Sequence, residues 1–384
     1  MKIVIVGGGV LGASTAFQLA KRGCEVELFE SGMPGGQASA ASLAWLNSNS
    51  KELRPYHDLN VISMAEHLAV ARELGTDNWL RRGGNLEVAA TEESAHALHA
   101  KAKRLHEYGY AAIELDPKDL PRYDPQVRVH EDYLGAVFYP GESWLDLPLL
   151  IHELLRAAVA HGAILRSHTT VDRLLVESGQ VNGVLLDDGS QVRADRVVVA
   201  AGSRIGALMS EVGVEVSTVG EPGATVVTAP GTSALSVLLH LPGISVRPDP
   251  GGRLAIRSER GDRSLDTDTW TLPDETVTDL IRRAAHGVAD VDPTSTRSER
   301  ISIAVRPYPF DGLPVVGFWN DVPNLYLITM HSGATLAAVT SRLAAEELVT
   351  GIPPALLNGF RPARLITPRR ELPEFDPHAV EAEV

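Results

Sequence analysis

One cysteine, six lysines, no long apolar run and no excess of positive charge are what this 384-residue chain has least of. Each shortage closes off a class of chemistry. A lone thiol, Cys24, forms no intrachain disulfide, no redox-active pair and no thiolate metal cluster, and it suits a reducing compartment. No metal site is expected. Without an apolar stretch near 18 residues, a membrane-spanning helix is not expected. The chain also enters its first strand after a single Lys, so a signal peptide is not expected. Lys and Arg total 35 against 49 Asp and Glu, a formal net charge of −14. That balance argues against nucleic acid or an anionic membrane surface as a partner. The expectation is a cytoplasmic protein long enough for two domains or one large composite.

What is present starts at the N-terminus. The apolar run Ile3-Val4-Ile5-Val6 leads directly into Gly7-Gly8-Gly9-Val10-Leu11-Gly12, and Glu30 follows 18 residues after Gly12. Strand, glycine turn, helix, strand and acid in this order form a dinucleotide site. Gly7 permits the tight turn, Gly9 lets backbone approach a pyrophosphate, and Gly12 lets helix pack closely on strand. Ala13, Ala16, Phe17 and Ala20 give the helix one small apolar face. The acid takes the ribose hydroxyls and repels a 2′-phosphate.

Farther along, the chain alternates between helical and strand-like patterns. Ile62 to Leu74 and Asp274 to His286 read as helices, and Thr91 with Glu92 and Glu93 opens another. Val171 to Val176 and Val181 to Leu186 read as a hairpin. Val197-Val198-Val199, apolar at every position, suits a strand buried on both faces of a parallel sheet. Leu325 to Ile328 reads as a buried strand, then a turn at His331 to Thr335 and a helix from Leu336 to about Val349. After Pro362 the tail is rich in Pro and charge and reads as an extended or frayed arm.

Three segments together resemble the FAD-dependent amine and amino-acid oxidase family, which includes D-amino-acid oxidase, glycine oxidase and sarcosine oxidase. They are the Gly7–Glu30 unit, the strand from Arg196 to Gly202, and Arg306-Pro307 through Asp311-Gly312-Leu313-Pro314 to Gly317, followed by His331–Thr335. The resemblance implies an α/β fold in which a Rossmann-like FAD-binding domain is interleaved with an antiparallel-sheet substrate domain. The first would take residues 1–80, 146–215 and 305–384, the second 81–145 and 216–304. It also implies noncovalent FAD. The ADP half would lie against Gly7, Gly9, Val10, Leu11, Gly12, Glu30 and Ser31, with Gly202 close by and Val171 meeting adenine through backbone. Ala38, Ser39, Leu43, Ala44, Trp45 and Leu46 would pass beside the pyrophosphate and ring. Ser332, Gly333, Ala334 and Thr335 would face the flavin pyrimidine edge, where a helix N-terminus stabilises negative charge.

The activity so implied is that of an FAD-dependent oxidoreductase, oxidase or dehydrogenase, acting on a small carboxylate-bearing primary or secondary amine. Hydride would pass from the α-carbon to flavin N5, leaving an imine, with oxygen or another acceptor taking the electrons. Arg306 would grip the substrate carboxylate, because a guanidinium offers a planar two-donor fork. Arg257 stands next in line. His331 would act over the flavin as a proton acceptor or polar wall, or anchor the turn. Tyr308, Trp45, Asn47 and His57 are weaker candidates. Sarcosine-oxidase-type members attach flavin through a late Cys and place a Lys over the ring. This chain has neither residue after Lys118, although Lys51 is left to reach the site. Two rival readings stand beside this one. A flavin-binding partner or structural subunit would share the fold without turnover. A NAD-type dehydrogenase would explain the N-terminus and leave Arg306–Gly317 without a role.

Overall fold

After Lys2, the strand Lys2–Val6 is apolar at every position because the fold covers both of its faces. Alternation along the strand sends Ile3 and Ile5 to one side and Val4 and Val6 to the other. The computed structural model describes residues 1–210, 212–213, 216 and 218–366. Within them the helices are α1 (Val10–Lys21), α2 (Arg54–Leu74), α3 (Glu92–Glu107), α4 (Leu147–Ala160), α5 (Ile205–Ser210), α6 (Glu259–Arg263), α7 (Asp274–Gly287) and α8 (Gly333–Thr350). Among the described residues no helix is long and apolar enough to cross a membrane.

Six strands make the first large sheet, in the order 315–318, 325–329, 196–199, 2–6, 25–29 and 164–166. All neighbours run parallel except the antiparallel pair 315–318 and 325–329. Val197, Val198 and Val199 are fully buried between the strands at 2–6 and 325–329, as an unbroken apolar run in a parallel sheet should be. Ile3, Ile5 and Val198 meet α1, α4 and α8 in one core. Val4, Val6, Val197 and Val199 meet the three-stranded sheet 171–177, 180–186 and 191–193 in another. The result is a three-layer arrangement, helices on one face and a small antiparallel sheet on the other.

The second large sheet has eight strands, in the order 298–309, 218–228, 253–257, 244–249, 238–241, 85–89, 135–139 and 113–115. It is antiparallel except where 238–241 runs parallel to 85–89. Helix α7 contributes Val277, Leu280, Ile281 and Ala284 to the core on this sheet. A third element, the short sheet 45–46, 143–145 and 80–81, connects the region after the glycine turn to α4. The strand Ser298–Pro309 runs through position 305 and carries Arg306 on the eight-stranded sheet.

Several elements are longer than the local pattern suggests. Helix α2 starts at Arg54 rather than Ile62, with Pro55 in its first turn, where a missing N–H costs nothing. Helix α8 begins at Gly333, so Gly333, Ala334 and Thr335 form its first turn and not a separate loop. The tail after Pro362 departs from the extended arm expected of it: Pro362–Ile366 is a 3-10 turn. Arg364 holds that turn down by donating to Asp311 at 2.6 and 3.1 Å and to the Leu313 carbonyl at 2.8 Å. The rest of the tail, 367–384, lies outside the described residues.

Candidate active site

The glycine turn shows why its residues must be glycine. Gly7 has φ +108°, and a Cβ there would lie 2.4 Å from the Ala200 carbonyl oxygen. A Cβ on Gly12 would lie 1.9 Å from the Gly7 carbonyl oxygen. At Gly9 the situation differs. Its nearest neighbour would be Ser39 Oγ at 3.6 Å, so protein does not fill that space and a ligand can approach the backbone. Gly202, at φ +54°, likewise opens onto space with no atom within 4 Å of a Cβ. Ser39 Oγ accepts from the Val10 N–H at 3.3 Å, at the start of α1. Glu30 accepts from the N–H groups of Gly8 and Gly32, each at 2.8 Å, which fixes the carboxylate at the end of its strand beside exposed Ser31.

The N-terminus of α8 is brought against this turn. A Cβ on Gly333 would touch Val10 and Leu11 at 3.7 and 3.8 Å, so the two helix starts sit side by side. The first turn of α8 is anchored from three directions. Thr335 Oγ1 donates to the Trp45 carbonyl at 3.1 Å and accepts from the Asn47 N–H at 3.3 Å. Ser63 Oγ donates to the Thr335 carbonyl at 2.6 Å, and His67 Nε2 donates to the carbonyls of Ala334 and Thr335 at 3.1 and 3.0 Å. Ser332 Oγ and Tyr56 Oη share a hydrogen bond of 2.7 Å. Burial pushes the Tyr56 hydroxyl up to about 12, so it stays protonated.

A cavity of about 930 Å³ opens beside these helix starts. Ala38, Leu43, Ala44 and Trp45 line one wall, Ser332, Ala334 and Thr335 another, and Arg306, Tyr308 and His331 a third. Leu46 turns the opposite way from Trp45, into the core, as alternation along its short strand requires. Val171 and Gly202 stand apart from this cavity, Val171 in the three-stranded sheet and Gly202 just after the strand 196–199.

Arg306 is not isolated. Its Nη2 donates to Asp262 at 3.0 Å and reaches Glu221 at 3.5 Å, while Nη1 lies 3.5 Å from the Tyr308 hydroxyl. Asp262 also accepts from Arg257 at 2.8 and 3.1 Å and from the Ala224 N–H at 2.8 Å. One buried carboxylate therefore orients two guanidinium groups of the cavity wall. Tyr308 and His331 stack at 4.1 Å with planes 14° apart, and their Oη and Nε2 are 2.7 Å from each other. They form a linked pair that holds one proton between them. His57 instead pairs with Ser48 inside the protein.

Local patterns do not disclose two important groups. Glu142 is buried and collects Trp45 Nε1–H at 2.8 Å, Tyr110 Oη–H at 2.8 Å, Asn85 Nδ2–H at 3.1 Å and the Asn49 backbone N–H at 3.3 Å. Burial pushes its carboxyl up to about 7, against the donors that favour the charge. Asp262, four residues after Ser258, looks like an ordinary turn acid until the fold puts Arg306 beside it. Lys51 does reach the cavity, with its Nζ donating to Ser50 Oγ at 2.9 Å.

Residues 2–347 match the DAO family, described as FAD dependent oxidoreductase. The chain belongs to that family. It is an FAD-dependent oxidoreductase, and the glycine cradle with its adjoining helix starts fits the cofactor. Over 356 residues it is 30% identical to glycine oxidase of Geobacillus kaustophilus, covering 90% of this chain and 92% of that enzyme. The crystal structure of glycine oxidase from the same organism superposes with a TM-score of 0.82 at 28% identity, over 94% of this chain and 97% of the other. D-amino acid dehydrogenase of Xanthobacter autotrophicus is 24% identical over 409 residues, 90% of this chain and 94% of that enzyme. The match extends through Arg306–Gly317, the segment a NAD-type dehydrogenase leaves without a role.

Proposed function

We propose that this flavoenzyme oxidises the C–N bond of a primary or secondary amine bearing a carboxylate, an amino acid or N-alkyl amino acid. One observation carries the reading: Arg306, the Tyr308–His331 pair, the first turn of α8 and the loop 38–47 all line one cavity, in a chain similar to glycine oxidase. Noncovalently bound FAD supplies the two-electron acceptor for the hydride that leaves the α-carbon. Gly7, Gly9, Gly12 and Glu30 hold its ADP half, and the N–H groups of α8 favour negative charge at the pyrimidine edge.

The remaining work falls to the chain's own side chains. Arg306 takes the substrate carboxylate, pre-oriented by Asp262 and Glu221, so that a second carboxylate meets an already positioned fork. The proton an ammonium must lose before its neighbouring C–H can leave as hydride goes to the Tyr308 hydroxyl oxygen as that hydroxyl passes its own proton to His331 Nε2. Trp45, Leu43 and Leu313 supply apolar wall that excludes water. The division into an FAD-binding part and a substrate part follows the two large sheets, with its last boundary after Pro309 so that Ser298–Pro309 stays with the eight-stranded sheet.

The test is anaerobic mixing with a panel of amino acids, N-methyl amino acids and their methyl esters. Carboxylate-bearing amines should bleach the flavin band; bleaching only by carboxylate-free amines or hydroxy acids sinks the reading. In Arg306→Ala, losing a buried charge-assisted pair costs about 2–5 kcal/mol, equivalent to about thirty- to several-thousand-fold in kcat/KM. Arg306→Lys should recover part of this, since it keeps the charge without the fork. The free acid should suffer far more than its methyl ester. Equal slowing of both would make Arg306 structural. Reoxidation by oxygen compared with an artificial acceptor separates oxidase from dehydrogenase.

A further inference from the structure

The cavity wall is strongly cationic in a chain whose net charge is −14. Eight Lys or Arg residues line it against three acids, Glu52, Glu259 and Asp311. The inner pair, Arg257 and Arg306, is committed to Asp262. The others stand around it on separate elements: Arg260 and Arg263 on α6, Arg283 on α7, Lys51 before α2, and Lys101 and Arg104 on α3. Three of them are balanced by acids, Arg263 by Glu259 at 2.9 Å, Arg104 by Glu52 at 3.2 Å and Lys101 by buried Glu87 at 2.7 Å.

Arg260 and Arg283 are balanced differently. Arg283 shares the single carboxylate of Asp279 with Arg282, and Asp279 lies off the cavity wall. Two guanidinium groups over one carboxylate leave an excess positive charge. Arg260, in the short helix α6 that follows the strand ending at Arg257, is exposed and presents its charge to the same space. One substrate carboxylate needs one fork. This wall offers a second cationic station beyond the one the reaction uses.

We infer that the preferred substrate is an amine carrying two anionic groups, the second one, a carboxylate or a phosphonate or phosphate, being received by Arg260 and Arg283. The inference rests on the amine-oxidation reading for the first group and adds the class of the second. Converging cations at a cavity mouth also raise the local concentration of a dianion over a monoanion, an effect that salt weakens.

The test separates binding from turnover. Holoenzyme is titrated with succinate and with butyrate, four-carbon acids that differ by one carboxylate and have no C–N bond to oxidise, while the flavin absorbance is followed. Succinate should bind more tightly by up to about fivefold at low salt, the range of a partly exposed ion pair, and the gap should close at high salt. Combining Arg260→Gln with Arg283→Gln should abolish the preference. Equal affinity for the two acids, or a succinate preference that survives both substitutions, overturns the inference. A turnover arm compares an aminodicarboxylate, a carboxylate-bearing aminophosphonate and a neutral amino acid of the same length. Advantage for either dianion supports the second station and names its anion; equal kcat/KM for all three overturns it. Failure of every amine to reduce the flavin defeats the parent reading instead, and the succinate titration is unaffected by that failure.

Discussion

Glu142 shows how one residue can organise a site it does not enter. Its two oxygens collect donors from the loop 45–49, from the strand 85–89 and from Tyr110, and through Trp45 it sets a wall of the cavity. Trp45 is in turn tilted against His240 at 4.3 Å. Because burial raises the carboxyl from 4.5 to about 7, the folded protein holds this proton more tightly than the unfolded chain does. Stability from this group is therefore full below about pH 4.5 and is lost as pH rises through about 7. At about 1.4 kcal/mol per unit the loss is on the order of 3 kcal/mol. Urea midpoints measured across that window should fall with pH in the wild type, and less in Glu142→Gln. Gln cannot accept from all the converging donors, so the variant should also be less stable at low pH by about 1–3 kcal/mol. Parallel pH curves for the two proteins would remove Glu142 from this role. The sequence names Arg306 and His331 through the motif around them, whereas Asp262 and Glu142 acquire meaning from Arg306 and Trp45, 44 and 97 residues away.

Among the elements, the joint between α2 and α8 matters most to the cofactor. His67, on the buried face of α2, gives its Nε2–H to two carbonyls of the first turn of α8. Its Nδ1 is buried without a hydrogen-bond partner among the described residues, so a second proton there would place a charge with no acceptor. Burial accordingly lowers this imidazole from 6.5 to about 4, even though the carbonyls favour the cation. The sign is opposite to that of Glu142. A depressed folded pKa gives stability that is full above about pH 6.5 and is lost as pH falls through about 4. Since the same carbonyls belong to the helix start proposed to face the flavin, acidification should loosen FAD as well as the fold. Flavin fluorescence released on stepping from pH 7 to below about 5 reads this directly. In His67→Gln, which keeps a donor and cannot be protonated in this range, the release should shift to lower pH; an unchanged release profile would place the acid-sensitive group elsewhere. Helix α8 was legible as a helix from its apolar pattern. Its true start at Gly333 was not, because that turn is held by Thr335, Ser63 and His67 side-chain bonds that span up to 290 residues.

Across the whole molecule, what the sequence discloses follows contact range. The Gly7–Glu30 unit is legible because strand, turn, helix and acid are consecutive, and the buried run 197–199 because burial on both faces leaves its mark on every position. The eight-stranded sheet is not. It pairs 85–87 with 238–240 and 218–228 with 298–309, and no local periodicity encodes such partners. The same long-range layout bears on how the cofactor is kept. Cys24 stands just before the strand Glu25–Phe29, and the glycine turn and Glu30 lie at the other end of that strand, about 20 Å of extended chain away. Burial raises this thiol above its ordinary value, which disfavours the thiolate a covalent attachment needs. The cradle must then hold FAD by contacts alone, and such a ligand adds stability by mass action, about 2.7 kcal/mol at a hundred times its Kd. Acid precipitation should leave a white pellet and a yellow supernatant, and the thermal midpoint of the stripped protein should climb with added FAD. Glu30→Arg should flatten that climb, because an arginine at the strand end removes the acceptor that fixes Gly8 and Gly32 and crowds the ribose edge. Flavin that stays with the pellet would mean that the cofactor is fastened through a residue other than this thiol, and a midpoint indifferent to FAD would remove the cradle from FAD binding.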